Sequence, residues 1–420
     1  MKNFFLLIAA AFLLAACQNR DASPSEVSDS DQIVIGKMDS LRSEILDETR
    51  NIWVHVPDNT TGAIFGETSY PVLYLLDGPG HFHAVTGLLN NLGQNGIVPK
   101  MVVVAIPNTD RTRDLTPTHV DEMFGDSSFV VTSGGGDKFL EFMEKELIPY
   151  VEEKYPVTGY RTFVGHSFGG LTAMHALFSK AHLFNNYVAI DPSMWWDDWL
   201  LVNKAVAVLE DKSLEGRALF MGVANTMEEG MDIERVREDT ARSSNHIRSI
   251  LSLIEKLEEK QDSPLEFAWK YYDDDDHGSV PLITEYDALR FLFPWYRLKG
   301  LDRFFEEDAE DDPKELIEAL DDHYGLVSKH FGYAVLPPEP DVNSLAYNFM
   351  NMNKPNIARA MFEMNIKNYS ASANVYDSMG DFHLNQSDTL QAKEQFRKAL
   401  ELGDNPFTRK KLDQLLEAED

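Results

Sequence analysis

One cysteine in 420 residues cannot pair within the chain. A disulfide framework, a cysteine-built zinc site and an iron–sulfur cluster are therefore excluded. Cationic residues are scarce as well: 38 Lys and Arg stand against 69 Asp and Glu, a formal charge of −31 that repels phosphate backbones and argues against a nucleic-acid partner. No apolar run reaches the roughly 20 residues that span a bilayer. What is present is the material of a globular core, since 43% of the residues are hydrophobic and 11% aromatic, and the length suggests two or three domains.

The one notable apolar run, Phe4 to Ala16, follows Lys2 and ends at the single cysteine. Its length suits the core of a signal peptide. The residues Leu14-Ala15-Ala16-Cys17 resemble a bacterial lipobox, which implies removal of residues 1–16 and lipidation of Cys17. Gln18, in place of an aspartate, resembles the sorting pattern of outer-membrane lipoproteins, so the expected location is the cell envelope, on a lipid anchor. Residues 17–32 are polar and aperiodic and read as a tether.

Beyond the tether, short β-branched runs alternate with helical stretches. The runs Asn51–Val56, Pro71–Leu76, Met101–Ile106, Arg161–Gly165, Tyr187–Ile190, Ala218–Val223 and Glu266–Tyr272 read as strands. Lys138–Glu153, Leu171–Ser179 and Ile233–Glu259 carry apolar residues at helical spacing. The fold class expected is α/β over residues 33–300, with ligands bound at the carboxyl ends of the strands. Residues 301–340 read as a helical bridge, near Lys314–His330, and a linker containing Pro337-Pro338-Glu339-Pro340. In residues 341–420, Leu345, Ala346, Ala358, Phe362 and Ile366 return 34 positions later as Met379, Gly380, Ala392, Phe396 and Leu400. That period resembles tetratricopeptide repeats and implies a small all-α domain, capped by Phe407–Leu416, that either binds a protein partner or buttresses the first domain.

Catalytic chemistry is signalled by Gly165-His166-Ser167-Phe168-Gly169-Gly170, set between an apolar strand and a helix. A serine on so tight a turn needs small neighbours, and the turn lifts its hydroxyl to the sheet edge as a nucleophile. A serine hydroxyl needs a base, which in such a fold follows later in the chain. His277, in Asp273-Asp274-Asp275-Asp276-His277-Gly278-Ser279 after the last strand, is the candidate, and the aspartates would favour its imidazolium. His166 reads as structural, as do His81 and His83, which lack a third ligand for a metal; no metal and no cofactor is expected.

These segments, with Leu75-Leu76-Asp77-Gly78, Asn108-Thr109-Asp110-Arg111-Thr112-Arg113-Asp114 and Asp191-Pro192-Ser193-Met194-Trp195-Trp196, resemble the esterase D-like branch of the α/β-hydrolases over about Ile33 to Arg297. The branch includes siderophore, feruloyl and acetyl-xylan esterases and the mycolyltransferases. The resemblance implies an α/β-hydrolase sheet flanked by helices and a serine ester hydrolase or acyltransferase working through an acyl-enzyme. Siderophore esters or acylated carbohydrates are the expected substrates.

The acid of the triad stays open among Asp239, Glu238, Asp232 and none; a similarity to mycolyltransferases around Arg242-Ser243-Ser244-Asn245 favours Asp239. The oxyanion hole takes one amide from Phe168 and a second from Gly80 or His81, because Pro79 has no N–H. Arg111 and Arg113 are candidates to hold an anionic or catecholate substrate, or to pair with Asp110 and Asp114; Trp195 is a candidate stacking surface. The competing expectation is a non-catalytic lipoprotein whose repeats recruit a partner.

Overall fold

Four largely apolar strands are buried on both faces along their whole length: Tyr70–Leu75 (β3), Val102–Ala105 (β4), Asn186–Ile190 (β6) and Ala218–Ala224 (β7). With Lys37–Ser43 (β1), Glu48–His55 (β2), Val157–His166 (β5) and Glu266–Tyr272 (β8) they form one sheet in the order β1-β2-β4-β3-β5-β6-β7-β8. β1 and β2 run antiparallel to their neighbours and the remaining strands are parallel. This computed structural model describes residues 32–58, 68–123, 125–210, 212–260, 262–306 and 308–417. The apolar run before Cys17, Cys17 itself and the tether to Asp31 lie outside the described residues. No described helix is long and apolar enough to cross a membrane.

Side chains alternate across the sheet and build two cores. Val72, Tyr74, Phe163, Tyr187 and Met221 face one side, under Gly136–Phe142, Met143–Leu147 and Ile148–Lys154 (α3, with a π turn at its middle), Phe168–Ser179 (α4) and Asn245–Glu259 (α6). Leu73, Leu75, Val164, Val188 and Phe220 face the other, under Gly78–Gln94 (α1) and Val280–Leu292 (α7). Chain direction across the sheet reverses between β3 and β5, so their carboxyl ends open a crevice between diverging connections. Two shorter elements complete this region, Arg111–Leu115 (α2) and Trp196–Val208 (α5).

Two expectations shift. The strand β1 carries no apolar run because it is an exposed edge, where only Leu41 and Ser43 are buried. The helix expected over Ile233–Glu259 starts at Asn245; the preceding residues form a 3₁₀ turn, Arg235–Glu238, and a loop rich in hydroxyl residues that bond their own backbone.

After the sheet, Lys314–Phe331 (α8) buries its last turns, Val327 and Phe331, against Tyr160 and Phe293 of the sheet layer. Its first turns, Leu316 and Leu320, enter a separate core with Val342 and Phe349. That core belongs to two helical hairpins, Glu339–Asn351 with Pro355–Asn368 (α9, α10) and Ala373–Asn385 with Thr389–Leu402 (α11, α12), followed by Pro406–Glu417 (α13). The 34-residue period is repeated in the backbone. Asn353 and Ser387 turn the hairpins at φ 58° and 61°. The amides of Lys354 and Asp388 donate to Phe349 and His383, and those of Tyr369 and Gly403 to Asn365 and Ala399. Gly380 stands where a Cβ would lie 2.4 Å from the Phe396 ring, which explains why glycine replaces Ala346 of the first hairpin.

Candidate active site

Three strand ends meet at the crevice. β5 ends in His166, and the next residue, Ser167, takes φ 59° and ψ −113°, a region that costs a non-glycine residue roughly 1–3 kcal/mol. The surrounding glycines are sterically required: a Cβ at Gly165 would stand 2.2 Å from the Gly169 carbonyl oxygen, and one at Gly170 2.9 Å from Pro192. The Ser167 amide donates to the Ile190 carbonyl at 2.9 Å, and its own carbonyl accepts from Ser193 at 3.1 Å. Its Oγ lies 3.4 Å from the Ser193 hydroxyl. The strained turn is thus stitched to the end of β6.

β6 ends at Ile190, and Asp191 follows at φ 38°, completely buried. Its Oδ2 accepts from His277 Nδ1 at 2.5 Å and from His246 Nε2 at 2.8 Å, while Oδ1 accepts from the Ala224 amide at 3.1 Å. Burial alone would raise the pKa of this carboxyl. The hydrogen bonds from His246 and His277, with that of Ala224, outweigh it and hold the group well below the usual carboxylate range. A buried, ionised carboxylate therefore fixes the Nδ1 side of His277 and leaves Nε2 for other chemistry.

His277 itself sits on a loop that caps itself: Asp276 Oδ1 accepts from the Gly278 and Ser279 amides, and the Ser279 hydroxyl donates to Asp275. The acidic run shapes the turn, and the carboxylate bonded to the imidazole is Asp191. The other face of the ring meets His166, with ring centroids 4.5 Å apart. Burial, then the neighbouring charges of His277 and His81, push the His166 pKa down to about 4, so His166 is a neutral wall at neutral pH.

Asp239 does not join the site. Its carboxylate accepts from the Thr240 and Ala241 amides and stabilises its own turn, Asp232 caps Glu234 and Arg235, and Glu238 is exposed. Asp191 takes the place because β6 is the neighbour of β5 in the sheet, whereas the loop after β7 carries its acids outward. The chain signal for Asp191 was its position directly after an apolar strand. Nothing local marks His246, which lies 55 residues further on, one residue into α6.

The oxyanion donors are also redistributed. Phe168 opens α4, so its amide has no carbonyl within the helix and is placed as expected. Gly80 is not available, since its amide donates to the Asp77 carbonyl at 2.9 Å. The Leu76 and Gly78 amides are spent on Val164 and Ile106. Between them Asp77 adopts φ 52°, and among the described residues its N–H has no acceptor.

Arg111 and Arg113 are engaged within the protein. Arg111 grips both oxygens of Asp77, at 2.7 and 2.9 Å, and stands over the Phe168 ring, so it ties the β3 loop to the elbow. With Asn108 it holds the Asp77 carboxyl below its usual range against the opposing effect of burial. Arg113, itself partly exposed, pairs with the buried Asp114 at 2.7 Å and with Glu48 at 2.8 Å. Trp195 is half-buried beside Phe168 and donates its indole N–H to His246 Nδ1 at 2.9 Å; Trp196 is fully buried.

Asp191, His246 and His277 are also the described group whose donor atoms could converge on a metal ion. Their contacts of 2.5 and 2.8 Å are those of hydrogen bonds; ligands around a tetrahedral zinc stand about 3.3 Å apart. His81 is bonded to the buried Glu285 at 2.9 Å, which raises its pKa against burial, and His83 is exposed, so those two do not form a metal pair.

Residues 43–238 match the family described as putative esterase, a span that holds Ser167 and Asp191 and stops short of His246 and His277. An IroE-like serine hydrolase from Shewanella oneidensis superposes with a TM-score of 0.63 and 31% identity, covering 79% of this chain and 98% of that one. The chain belongs to the esterase family. Among curated proteins of this esterase group, the siderophore triacetylfusarinine C esterase of Aspergillus fumigatus is 29% identical over 169 residues, 38% of this chain and 56% of that protein. The siderophore enterobactin esterase of Emericella nidulans is 33% identical over 166 residues, 35% of this chain and 52% of that protein. The chain thus spans about half the length of these curated relatives.

Proposed function

We propose that the protein is a serine esterase that cleaves siderophore-type esters through an acyl-enzyme. The observation that carries this reading is Ser167 on a strained elbow, with the neighbouring strand β6 ending in a buried, ionised carboxylate that is bonded to the base from the loop after β8. Ser167 Oγ attacks the ester carbonyl while His277 Nε2 takes its proton. The imidazolium so formed is stabilised by Asp191, which keeps its charge. The negative oxygen of the tetrahedral intermediate is met by the amides of Phe168 and Asp77, each worth about 2.7–4 kcal/mol if removed. Collapse breaks the ester C–O bond, and the departing alkoxide takes the proton from His277. Water then attacks the acyl-enzyme with His277 again as base, releasing the acid and Ser167.

In the resting arrangement Ser167 Oγ rests against Ser193, so the hand-off to His277 requires a rotation of the serine side chain, as is common before substrate binds. The choice of siderophore esters is supported by the names of the relatives. The lipobox-like Leu14-Ala15-Ala16-Cys17 supports lipid anchoring at Cys17 in the cell envelope, and the 34-residue period supports a tetratricopeptide-like tail that buttresses the sheet through α8.

The test is a panel of tricatecholate and hydroxamate siderophore esters, acetylated and feruloylated sugars and p-nitrophenyl butyrate, run with the wild type and Ser167→Ala. Siderophore esters should give the highest kcat/KM, and the substitution should remove at least about 10³-fold of every turnover. Preference for acylated sugars would reassign the substrate, and undiminished turnover in Ser167→Ala would remove the serine from the mechanism.

A further inference from the structure

Asp191 receives two imidazoles on one oxygen, and catalysis by His277 accounts for only one of them. The second, His246, is held from behind. An indole N–H can only donate, so His246 Nδ1 must accept from Trp195, and the ring proton sits on Nε2, pointing at Asp191. The direction of the whole chain, from Trp195 through His246 to Asp191 to His277, is set by the one group in it that has no acceptor.

The backbone around Trp195 is built at a cost. Asp197, Asp198 and Trp199 all have positive φ, a left-handed turn that costs roughly 1–2 kcal/mol per residue. It persists because its side chains are tied down: Thr118 donates to Asp197 at 2.7 Å, the Trp196 indole donates to the Thr118 carbonyl, and the Trp199 indole donates to Asn245 Oδ1 at 3.0 Å. Arg248 lies over the Trp199 ring. Two indoles therefore grip consecutive residues, Asn245 and His246, at the start of α6.

We infer that His246 is a positioning residue for the reaction, which orients the Asp191 carboxylate toward His277 and is itself fixed by Trp195. This rests on the esterase reading. His246 bonds Asp191 and meets the His277 ring edge to face, with centroids 5.3 Å apart, so its effect passes through those two residues. With the His246 donor removed, the buried carboxylate keeps only the Ala224 amide on Oδ1 and His277 on Oδ2, and its orientation toward His277 is less firmly fixed.

The experiment compares His246→Leu, His246→Gln and the wild type with p-nitrophenyl butyrate as probe, and reads the imidazole nitrogens of full-length protein by ¹⁵N NMR. Leu removes the donor, whereas Gln keeps an N–H at the position of Nε2. We expect a 10- to 100-fold fall in kcat with KM within twofold for Leu, and kcat within fivefold of wild type for Gln. The NMR should show His246 protonated on Nε2 and not on Nδ1. Full kcat in His246→Leu, an equal loss in Leu and Gln, or a proton on Nδ1 would overturn the inference. A wild type with no Ser167-dependent turnover would sink the esterase reading and the inference with it, whereas Ser167-dependent turnover that His246→Leu leaves unchanged would overturn the inference alone.

Discussion

The carboxyl edge of the sheet and the helical tail are built on opposite terms. At the sheet edge Asp77, Ser167 and Asp191 follow three neighbouring strands, β3, β5 and β6, and all three have positive φ. Their side chains are a carboxylate paired with Arg111, the serine proposed as nucleophile and a fully buried carboxylate. In the tail, positive φ in a non-glycine residue occurs at Asn353 and Ser387, equivalent turns of successive hairpins, and the buried side chains are mostly apolar. The first region concentrates strain and charge where a reaction is proposed; the second repeats a local packing rule. Positive φ also occurs at Asp47 in the turn between β1 and β2, so what sets the sheet edge apart is that three such residues with polar side chains converge in one crevice, whereas in the tail they recur singly at equivalent turns.

The sheet edge should be most sensitive at Asp191. Asp191→Asn should lower kcat by roughly 10³–10⁴-fold, because the amide can no longer stabilise imidazolium, while Asp239→Asn should stay within about twofold of wild type. Steady-state kinetics of the two purified variants check this, and equal losses would return the acid to the loop after β7. The tail should respond oppositely. Phe396 is fully buried, and Phe396→Ala should cost about 3–5 kcal/mol in urea denaturation with kcat of the folded protein little changed.

The third expectation concerns pH and stability at the edge. His166 has a folded pKa near 4 against about 6.5 when unfolded, so the unfolded chain binds the additional proton between those values. Its contribution is complete above about pH 6.5 and is lost as pH falls toward 4, up to roughly 3 kcal/mol. The groups facing it are His277, His81, Asp191 and Asp77. Urea midpoints at several pH values in wild type and His166→Phe measure this, and an unchanged slope in the variant would assign the pH dependence elsewhere.

What could be read from the chain follows the range of the interactions. The elbow at Ser167 was legible as a backbone feature because it is a local arrangement of glycines between a strand and a helix, as was the place of His277 after the last strand beside Gly278. The four buried strands were legible as apolar runs, and the tail as a period. Asp191 and His246 were not, because their roles depend on which strands are neighbours and on where α6 begins. Gly80 or His81 was chosen for the oxyanion hole from chain position, and the tight turn that opens α1 commits the Gly80 amide to the Asp77 carbonyl. For Arg111 and Arg113 the sequence left substrate binding and ion pairs with Asp110 and Asp114 both open; Arg113 does pair with Asp114, while Asp77 and Glu48, distant in the chain, are the partners it could not reveal.

The central claim is that Ser167 becomes acylated with His277 and Asp191 behind it. Rapid-quench mass spectrometry of the full protein with p-nitrophenyl butyrate tests it most directly. A single butyryl mass on the peptide carrying Ser167, formed in wild type and absent from Ser167→Ala, is the expected result. Product release with no acyl mass on Ser167, or acylation of another residue at the same rate, would contradict it.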